Sequence, residues 1–405
     1  MITIEYEHLV AFSVALIIAF FSTPIARRIA FRSGAVNVPR DGRRMHKKPM
    51  PLLGGLAIIA GFVIAVVYGF ASRDIPEFLF FLAQPKSLGL IFGALIIVVL
   101  GIVDDIRPLK AGVKFSFQLL AAIVVVATGT RITSITLPFT VGTDNGMTYI
   151  LGETIAFVIS VLWIVGVTNA INLIDGLDGL AAGVSGIASV SLFIVAVIRG
   201  EDDIALAAVS LAGAIFGFLP YNFNPAKIFM GDTGSTFLGF ILATLSIEGT
   251  MKSVTTLALA IPILVLGLPI FDTLFAILRR ISNGKPIAEG DRGHIHHRLI
   301  DMGLSHKMSV VILYVISGAL GILSIVLVDK GLLPSIILLI LIVVFMIGGA
   351  RNMSEMNKDG YSIKPKEKDL DEASLEAAPD IHNPEEPEEV SDDQETPNNS
   401  KGQSS

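Results

Sequence analysis

The chain has 405 residues, 52% of them hydrophobic, with a mean hydropathy of +0.71 and a formal net charge of −6. That apolar share exceeds the roughly 45–50% of soluble domains, so a water-soluble globular enzyme is excluded. The absence of cysteine excludes disulfides, a thiolate nucleophile and cysteine-ligated zinc or iron–sulfur centres.

Apolar runs near twenty residues recur along the chain, long enough to cross a hydrocarbon core of roughly 30 Å. The hydropathy predicts eleven spans, near residues 8–28, 53–70, 87–103, 113–129, 153–169, 179–198, 204–220, 235–249, 254–278, 309–328 and 333–350. The fold class is therefore an all-α polytopic membrane protein. The first run has no small-residue cleavage site and leads into Arg27-Arg28, so it reads as a retained helix. Pro262 and Pro269 interrupt the ninth span and are expected to kink it. The loop from Thr130 to Gly152, with Ile132, Ile135 and Leu137 alternating, is a candidate short hairpin.

Charge sets the expected orientation. Loops after the odd-numbered spans hold 18 Lys and Arg, starting with Arg27, Arg28, Arg32, Arg40, Arg43, Arg44, Lys47 and Lys48; the opposite face holds 6. Positive charge favours the cytoplasmic side, which puts the N-terminus outside and the C-terminus in the cytoplasm. Residues 351–405 carry a net −9 and the remainder +3. This acidic, proline-spaced tail lacks the apolar content to fold and reads as disordered, beside a catalytic domain over residues 1–350.

Four polar clusters fall on that cytoplasmic face. The first is Asp104-Asp105 with Lys114 and Gln118. Adjacent carboxylates repel and need a cation or a shared proton; Mg²⁺ recruits one or two carboxylates plus substrate phosphates. A solvated helix cap is the ordinary alternative. The second is Asn172-Leu-Ile-Asp175-Gly-Leu-Asp178-Gly. If helical, it places Asn172, Asp175 and Asp178 on one face; Asp-Gly pairs are also turn formers.

The third cluster runs from Tyr221 and Asn222 through Phe229-Met-Gly-Asp232-Thr-Gly-Ser235. Asp232 stands at an expected helix start, where it could cap the helix or where free N–H groups suit phosphate. Phe229 suits stacking on a nucleobase, or a core or lipid contact. The fourth is Asp291-Arg292-Gly293-His294-Ile295-His296-His297-Arg298. Its histidines do not match the two-His helical zinc motif; with two arginines they suit a pyrophosphate or proton movement. Four of the seven histidines lie between 294 and 306.

Over about residues 8–350 the chain resembles the polyprenyl-phosphate N-acetylhexosamine-1-phosphate transferases, through these four motifs in order. It departs from the family's usual Pro-Arg-x-Gly-Gly with Pro51-Leu52-Leu53-Gly54-Gly55, and has Asn37 where an Asp is usual, while His46, Pro49 and Pro51 keep the outline of that loop. The resemblance implies an Mg²⁺-dependent membrane enzyme, with Mn²⁺ as an alternative ion. It implies transfer of a sugar-1-phosphate from a UDP-sugar to undecaprenyl phosphate at the bacterial plasma membrane, with release of UMP. The His-Ile-His-His-Arg form is similar to the branch using UDP-N-acetylglucosamine, as in teichoic-acid linkage or O-antigen initiation. The phospho-muramoyl-pentapeptide branch ranks second, and a transporter or lipid flippase is the reading from another class.

The residue roles follow from that resemblance. Asp232 and Asp175 are the expected metal ligands, and Asp104, Asp105, Asp232 and His294 the expected catalytic set. Lys114, Gln118, Asn172, Asp178, Asn222, Phe229, His296, His297 and Arg298 are expected to bind substrate, with Phe229 against uracil. Expected partners are the two substrates, the bilayer and a second copy of the chain, with no nucleic acid.

Overall fold

The computed structural model describes residues 5–38, 49–73, 75–137, 147–251, 260–284, 293–330 and 333–340. The tail from 351, the basic residues of 39–48, and Lys285, Asp291 and Arg292 lie outside these.

The described residues hold helices α1–α13, a further helical stretch over 333–340, and two small antiparallel strand pairs. Helix α1 (Tyr6–Ser33) leads to strands β1 (Val36–Asn37) and β2 (Met50–Pro51), then α2 (Gly55–Arg73), α3 (Ile75–Ala83), α4 (Pro85–Ile106) and α5 (Ala111–Ala127). Strands β3 (Ser134–Leu137) and β4 (Met147–Ile150) follow, then α6 (Glu153–Ile174), α7 (Leu180–Arg199), α8 (Asp202–Asn222) and α9 (Gly231–Met251). Helices α10 (Ala260–Val265), α11 (Gly267–Ser282), α12 (Ile295–Asp301) and α13 (His306–Lys330) complete the numbered elements. The expected hairpin is present, β3 pairing antiparallel with β4 from Ser134↔Ile150 to Leu137↔Met147.

Seven of these helices (α1, α2, α4, α6, α7, α8 and α13) are long and apolar enough to cross a membrane. The all-α polytopic class is therefore shown. The fourth expected span coincides with the shorter α5 and the eighth falls inside α9. The ninth is divided at Leu266, between α10 and α11. Pro269 lacks the N–H that would bond to Val265, and its ring crowds that carbonyl. The short apolar α3 was not expected from hydropathy, because nine residues are too short for a spanning run.

Between lipid-embedded helices there is little hydrophobic driving force, so close contact of small residues does the packing. Helix α1 buries Ala11, Ala15, Ala19, Ala26 and Ala30 along one face. A Cβ at Gly217 of α8 would lie 3.0 Å from the Ala19 side chain, and one at Gly61 of α2 would lie 2.7 Å from the Ala15 carbonyl. Helix α9 is the inner element, with contacts to α2, α4, α6 and α7. It is buried all round by Phe237, Leu238, Phe240, Ile241, Leu242 and Ala243, and its N-terminus presents Asp232.

Candidate active site

Asp104 and Asp105 occupy the last turn of α4, where neighbouring side chains point about 100° apart. They therefore do different things. Asp105 is buried and turns inward: its Oδ1 accepts the Asp232 N–H at 2.8 Å, and its Oδ2 accepts the N–H and hydroxyl of Thr233 at 3.0 and 2.6 Å. A carboxylate there satisfies two otherwise unpaired donors and complements the helix dipole. The N–H groups expected to be free for phosphate at Asp232 and Thr233 are thus occupied, and the cap comes from α4 rather than from Asp232.

Glycines allow this approach. A Cβ at Gly101 would lie 2.7 Å from the Thr233 nitrogen, and one at Gly54 would lie 2.5 Å from the Phe229 carbonyl. The 51–55 segment also pairs with the 229–230 backbone, through Phe229 N–H to Pro51 O at 2.8 Å and Gly55 N–H to Met230 O at 2.9 Å. This segment, departing from the family pattern at Leu52, holds Phe229 and the start of α9 through backbone hydrogen bonds, which do not depend on the side chain at 52.

Asp104 turns the other way. Its Oδ1 accepts the Leu109 N–H at 2.8 Å, and its Oδ2 accepts from Lys114 Nζ at 3.0 Å. The same ammonium forms a short contact with Asp232 Oδ2, while Asp232 Oδ1 accepts from Asn172 Nδ2 at 3.2 Å. Asn172 also donates to Ser235 Oγ at 2.8 Å. One lysine on α5 thus joins carboxylates from α4 and α9.

The second motif is a turn between two helices. Helix α6 stops at Ile174, and Gly179 takes a left-handed φ of 78° before α7. Asp175 and Asp178 consequently do not form a helical row with Asn172. Asp178 Oδ2 accepts from Asn224 Nδ2 and the Ala226 N–H, both at 3.0 Å, and its own N–H donates to His306 Nε2 at 2.9 Å. Asp175 is different: no described residue donates to its carboxylate. Burial, reinforced by Asp232, Asp105 and Asp178, pushes it up to about 8.

In the histidine cluster, His294 Nδ1 lies 2.9 Å from Asp272 Oδ2, while Asp272 Oδ1 accepts the Ile295 N–H at 2.8 Å. Asp272 escaped the sequence reading although a charged residue inside an apolar, proline-broken run was a visible signal. The rings of His294, His296 and His297 lie in sequence, with centroid separations of 5.8 and 4.3 Å. His296 is buried, and neither ring nitrogen has a partner among the described residues. Burial, with the neighbouring His297, holds it down to about 4; the ring packs where a Gly176 Cβ would be.

These elements surround a cavity of about 1030 Å³, at the upper end of the range for small-molecule sites. Asp104, Asp105, Asn172, Asp175, Asp178, Asn222, Phe229, Asp232 and His297 line it, as do Asp301 and His306, which the sequence reading did not assign. Lys114 stands behind the carboxylates. Gln118 is buried, accepting from Asn169 Nδ2 at 2.7 Å, while His294 and His296 are buried behind His297 and Arg298 is exposed. These last four do not line the cavity. Asn222 is buried with Nδ2 donating to the Ile228 carbonyl at 3.1 Å, and its Oδ1 has no partner among the described residues.

Among the described residues no three acidic or histidine side chains are grouped to hold a metal ion by themselves. The donor set nevertheless suits a Mg²⁺ ion that shares its coordination with phosphate. Asp175 is a carboxylate without a donor, facing the same cavity as Asp232.

A membrane-embedded transferase is the class that this helical frame and polar cavity define. Residues 87–250 match glycosyl transferase family 4. A probable undecaprenyl-phosphate N-acetylglucosaminyl 1-phosphate transferase of Bacillus subtilis (strain 168) is 45% identical over 337 residues, covering 83% of this chain and 89% of that protein. The chain belongs to this family, the polyprenyl-phosphate N-acetylhexosamine-1-phosphate transferases. A decaprenyl-phosphate N-acetylglucosaminephosphotransferase of Mycobacterium tuberculosis (strain ATCC 25618 / H37Rv) is 36% identical, covering 75% of this chain and 78% of that protein. The phospho-N-acetylmuramoyl-pentapeptide-transferase of Bacillus subtilis (strain 168) is 29% identical, covering 80% and 97%.

Proposed function

We propose that the chain transfers N-acetylglucosamine-1-phosphate from UDP-N-acetylglucosamine to undecaprenyl phosphate at the cytoplasmic face of the bacterial plasma membrane, releasing UMP. The observation that carries this reading is that Asp104 and Asp232, bridged by Lys114, line one cavity with Asp175, whose carboxylate receives no donor from the described residues. The 45% identity to the N-acetylglucosaminyl relative, against 29% to the muramoyl-pentapeptide one, supports the donor sugar. The excess of Lys and Arg after the odd-numbered spans supports the cytoplasmic side. Initiation of a teichoic-acid linkage unit and a homodimeric state belong to the same proposal.

In this mechanism an oxygen of the lipid phosphate attacks the sugar-linked phosphorus. A new pyrophosphate bond forms, and the bond from that phosphorus to the bridging oxygen breaks. UMP leaves with the bridging oxygen. Such transfers depend on positioning and charge neutralisation more than on covalent chemistry. Asp175 and Asp232 would hold Mg²⁺, which when bound neutralises the pyrophosphate. Lys114 orients Asp104 and Asp232 and offsets their mutual repulsion. Asp104 faces the acceptor phosphate, which is already mostly ionised near neutral pH, so a strong base is not required. The ring of Phe229 takes the uracil face, Asn222 Oδ1 accepts from the base, and His297 contacts the donor's phosphates.

The test is full-length protein in detergent with undecaprenyl phosphate, Mg²⁺ and a panel of UDP-sugars. UMP release with UDP-N-acetylglucosamine is expected. Release only with the muramoyl-pentapeptide donor moves the chain to that branch, and no release with any donor overturns the reading.

A further inference from the structure

His306, the first residue of α13, lies outside the motifs and has been given no role above. Its ring lines the cavity, and its Nε2 accepts the Asp178 N–H at 2.9 Å. A ring nitrogen that accepts an amide proton carries none itself, so the neutral imidazole keeps its proton on Nδ1. No described side chain or carbonyl takes that Nδ1–H. Asp178 fixes Nε2, and more than two turns further along α13 the Tyr314 hydroxyl donates to the Gly179 carbonyl at 2.5 Å, tying the helix that carries the ring to the same turn. The donor is therefore preorganised against the 175–179 turn.

Its surroundings select the ligand group. A neutral N–H beside the Asp178 carboxylate suits a carbonyl oxygen better than a phosphate, which that carboxylate repels. Asp178 also ties down Asn224 and Ala226, in the loop between Asn222 and Phe229. His306, Asn222 and Phe229 line the same cavity, and among the described residues Asn222 Oδ1 is an acceptor with no donor. An acceptor and a donor together complement the N–H and carbonyl edge of a uracil ring.

We propose that His306 is a specificity residue of the donor site, giving its Nδ1–H to the O4 carbonyl of the uracil base. This rests on the uridine-nucleotide reading above and adds a residue to it. Cytosine carries an amino group at that position, which would set donor against donor; sulfur in 4-thiouracil is a weak acceptor that keeps the ring N–H.

The experiment is equilibrium binding of UMP, CMP and 4-thio-UMP to the full chain in detergent, for wild type, His306→Ala and His306→Gln. Wild type is expected to prefer UMP to 4-thio-UMP. In His306→Ala, UMP affinity falls about five- to tenfold, the scale of one neutral hydrogen bond. CMP affinity does not fall, since the donor opposed to its amino group is gone, and UMP and 4-thio-UMP become equivalent. His306→Gln, which can both accept and donate, restores most of the preference. Retained CMP binding also reports an intact site; should the alanine variant unfold, wild type and the glutamine variant with 4-thio-UMP decide the question. Equal losses for UMP and CMP place the contact on ribose or phosphate and overturn the proposal. Unchanged UMP affinity with a raised KM for UDP-N-acetylglucosamine places it on the acetamido carbonyl and overturns it too. A wild type that binds no uridine nucleotide defeats the donor reading itself, which is a distinguishable failure.

Discussion

Asp105 holds Thr233 by both of that residue's donors, the backbone N–H at 3.0 Å and the hydroxyl at 2.6 Å, across the seam between α4 and α9. Its neighbour Asp104 makes none of these bonds and instead shares Lys114 with Asp232. Adjacent in sequence and both at the cavity, the two carboxylates divide into one that caps α9 and one that shares a lysine with Asp232.

That division separates two variants. Asp105→Asn loses the negative charge at the α9 N-terminus and one acceptor oxygen, at a cost of about 1–2 kcal/mol by analogy with helix caps. It should show a lowered Tm with activity falling in proportion to folded protein. Asp104→Asn should keep the wild-type Tm and lose turnover. Circular-dichroism melts with UMP-release assays compare them, and the reverse pattern would exchange the two roles.

Lys114→Gln removes the one cation that Asp104 and Asp232 share among the described residues and leaves the two neighbouring carboxylates without it. Turnover should drop by about 10²-fold or more, the scale for losing one charge-stabilising group in an active site. Lys114→Arg should not restore it, because a planar guanidinium does not place one compact charge between two oxygens. Steady-state kinetics on both variants provide the check.

Asp175 predicts a pH dependence with a definite sign. Its pKa in the folded chain is raised to about 8, above the roughly 3.9 of a free Asp. The folded state therefore holds the proton over that interval and the unfolded state does not, so its contribution to stability declines as pH rises from about 4 to about 8. Without divalent cation, Asp175→Asn should melt a few degrees above wild type at pH 8, and the gap should close toward pH 4. Added Mg²⁺ should stabilise wild type at pH 8 and leave the variant unmoved.

His296 predicts the opposite limb. It is held down to about 4 in the folded chain, so unfolded chains bind its proton first and stability falls as pH drops from about 6.5 toward 4. His296→Phe fills the same space without two unpartnered nitrogens. It should match wild type at pH 7.5 and outlast it at pH 5, and should keep most of its turnover because the ring does not line the cavity. Loss of turnover at an unchanged Tm would return His296 to the substrate-binding set.

Much of this architecture was legible because hydrophobic length and polar punctuation are local signals. Apolar runs marked the spanning helices, and alternating Ile132, Ile135 and Leu137 marked the β3–β4 hairpin. The four motifs pointed to residues that the fold gathers, since Asp104, Asp175, Asp232 and His297 all line one cavity. Relationships between distant segments were not local. Nothing in the order Asp104-Asp105 says that one carboxylate caps a helix starting more than a hundred residues later. Gln118 shares a helix with Lys114 but turns into the α5–α6 seam toward Asn169. His306 was counted among the clustered histidines, but only tertiary packing shows that it meets Asp178.

The glycine-lined grip on the start of α9 has a consequence for motion. Gly54 and Gly101 leave no side chain between three backbones, so the base of Asp232 cannot shift without moving α2 and α4 together. The Asp232 end of the cavity therefore rests on closely joined backbone, whereas His297 stands on the seven-residue α12 and His306 opens α13. A side chain introduced at Gly54 or Gly101 would displace the Asp232 end before it touched the histidines.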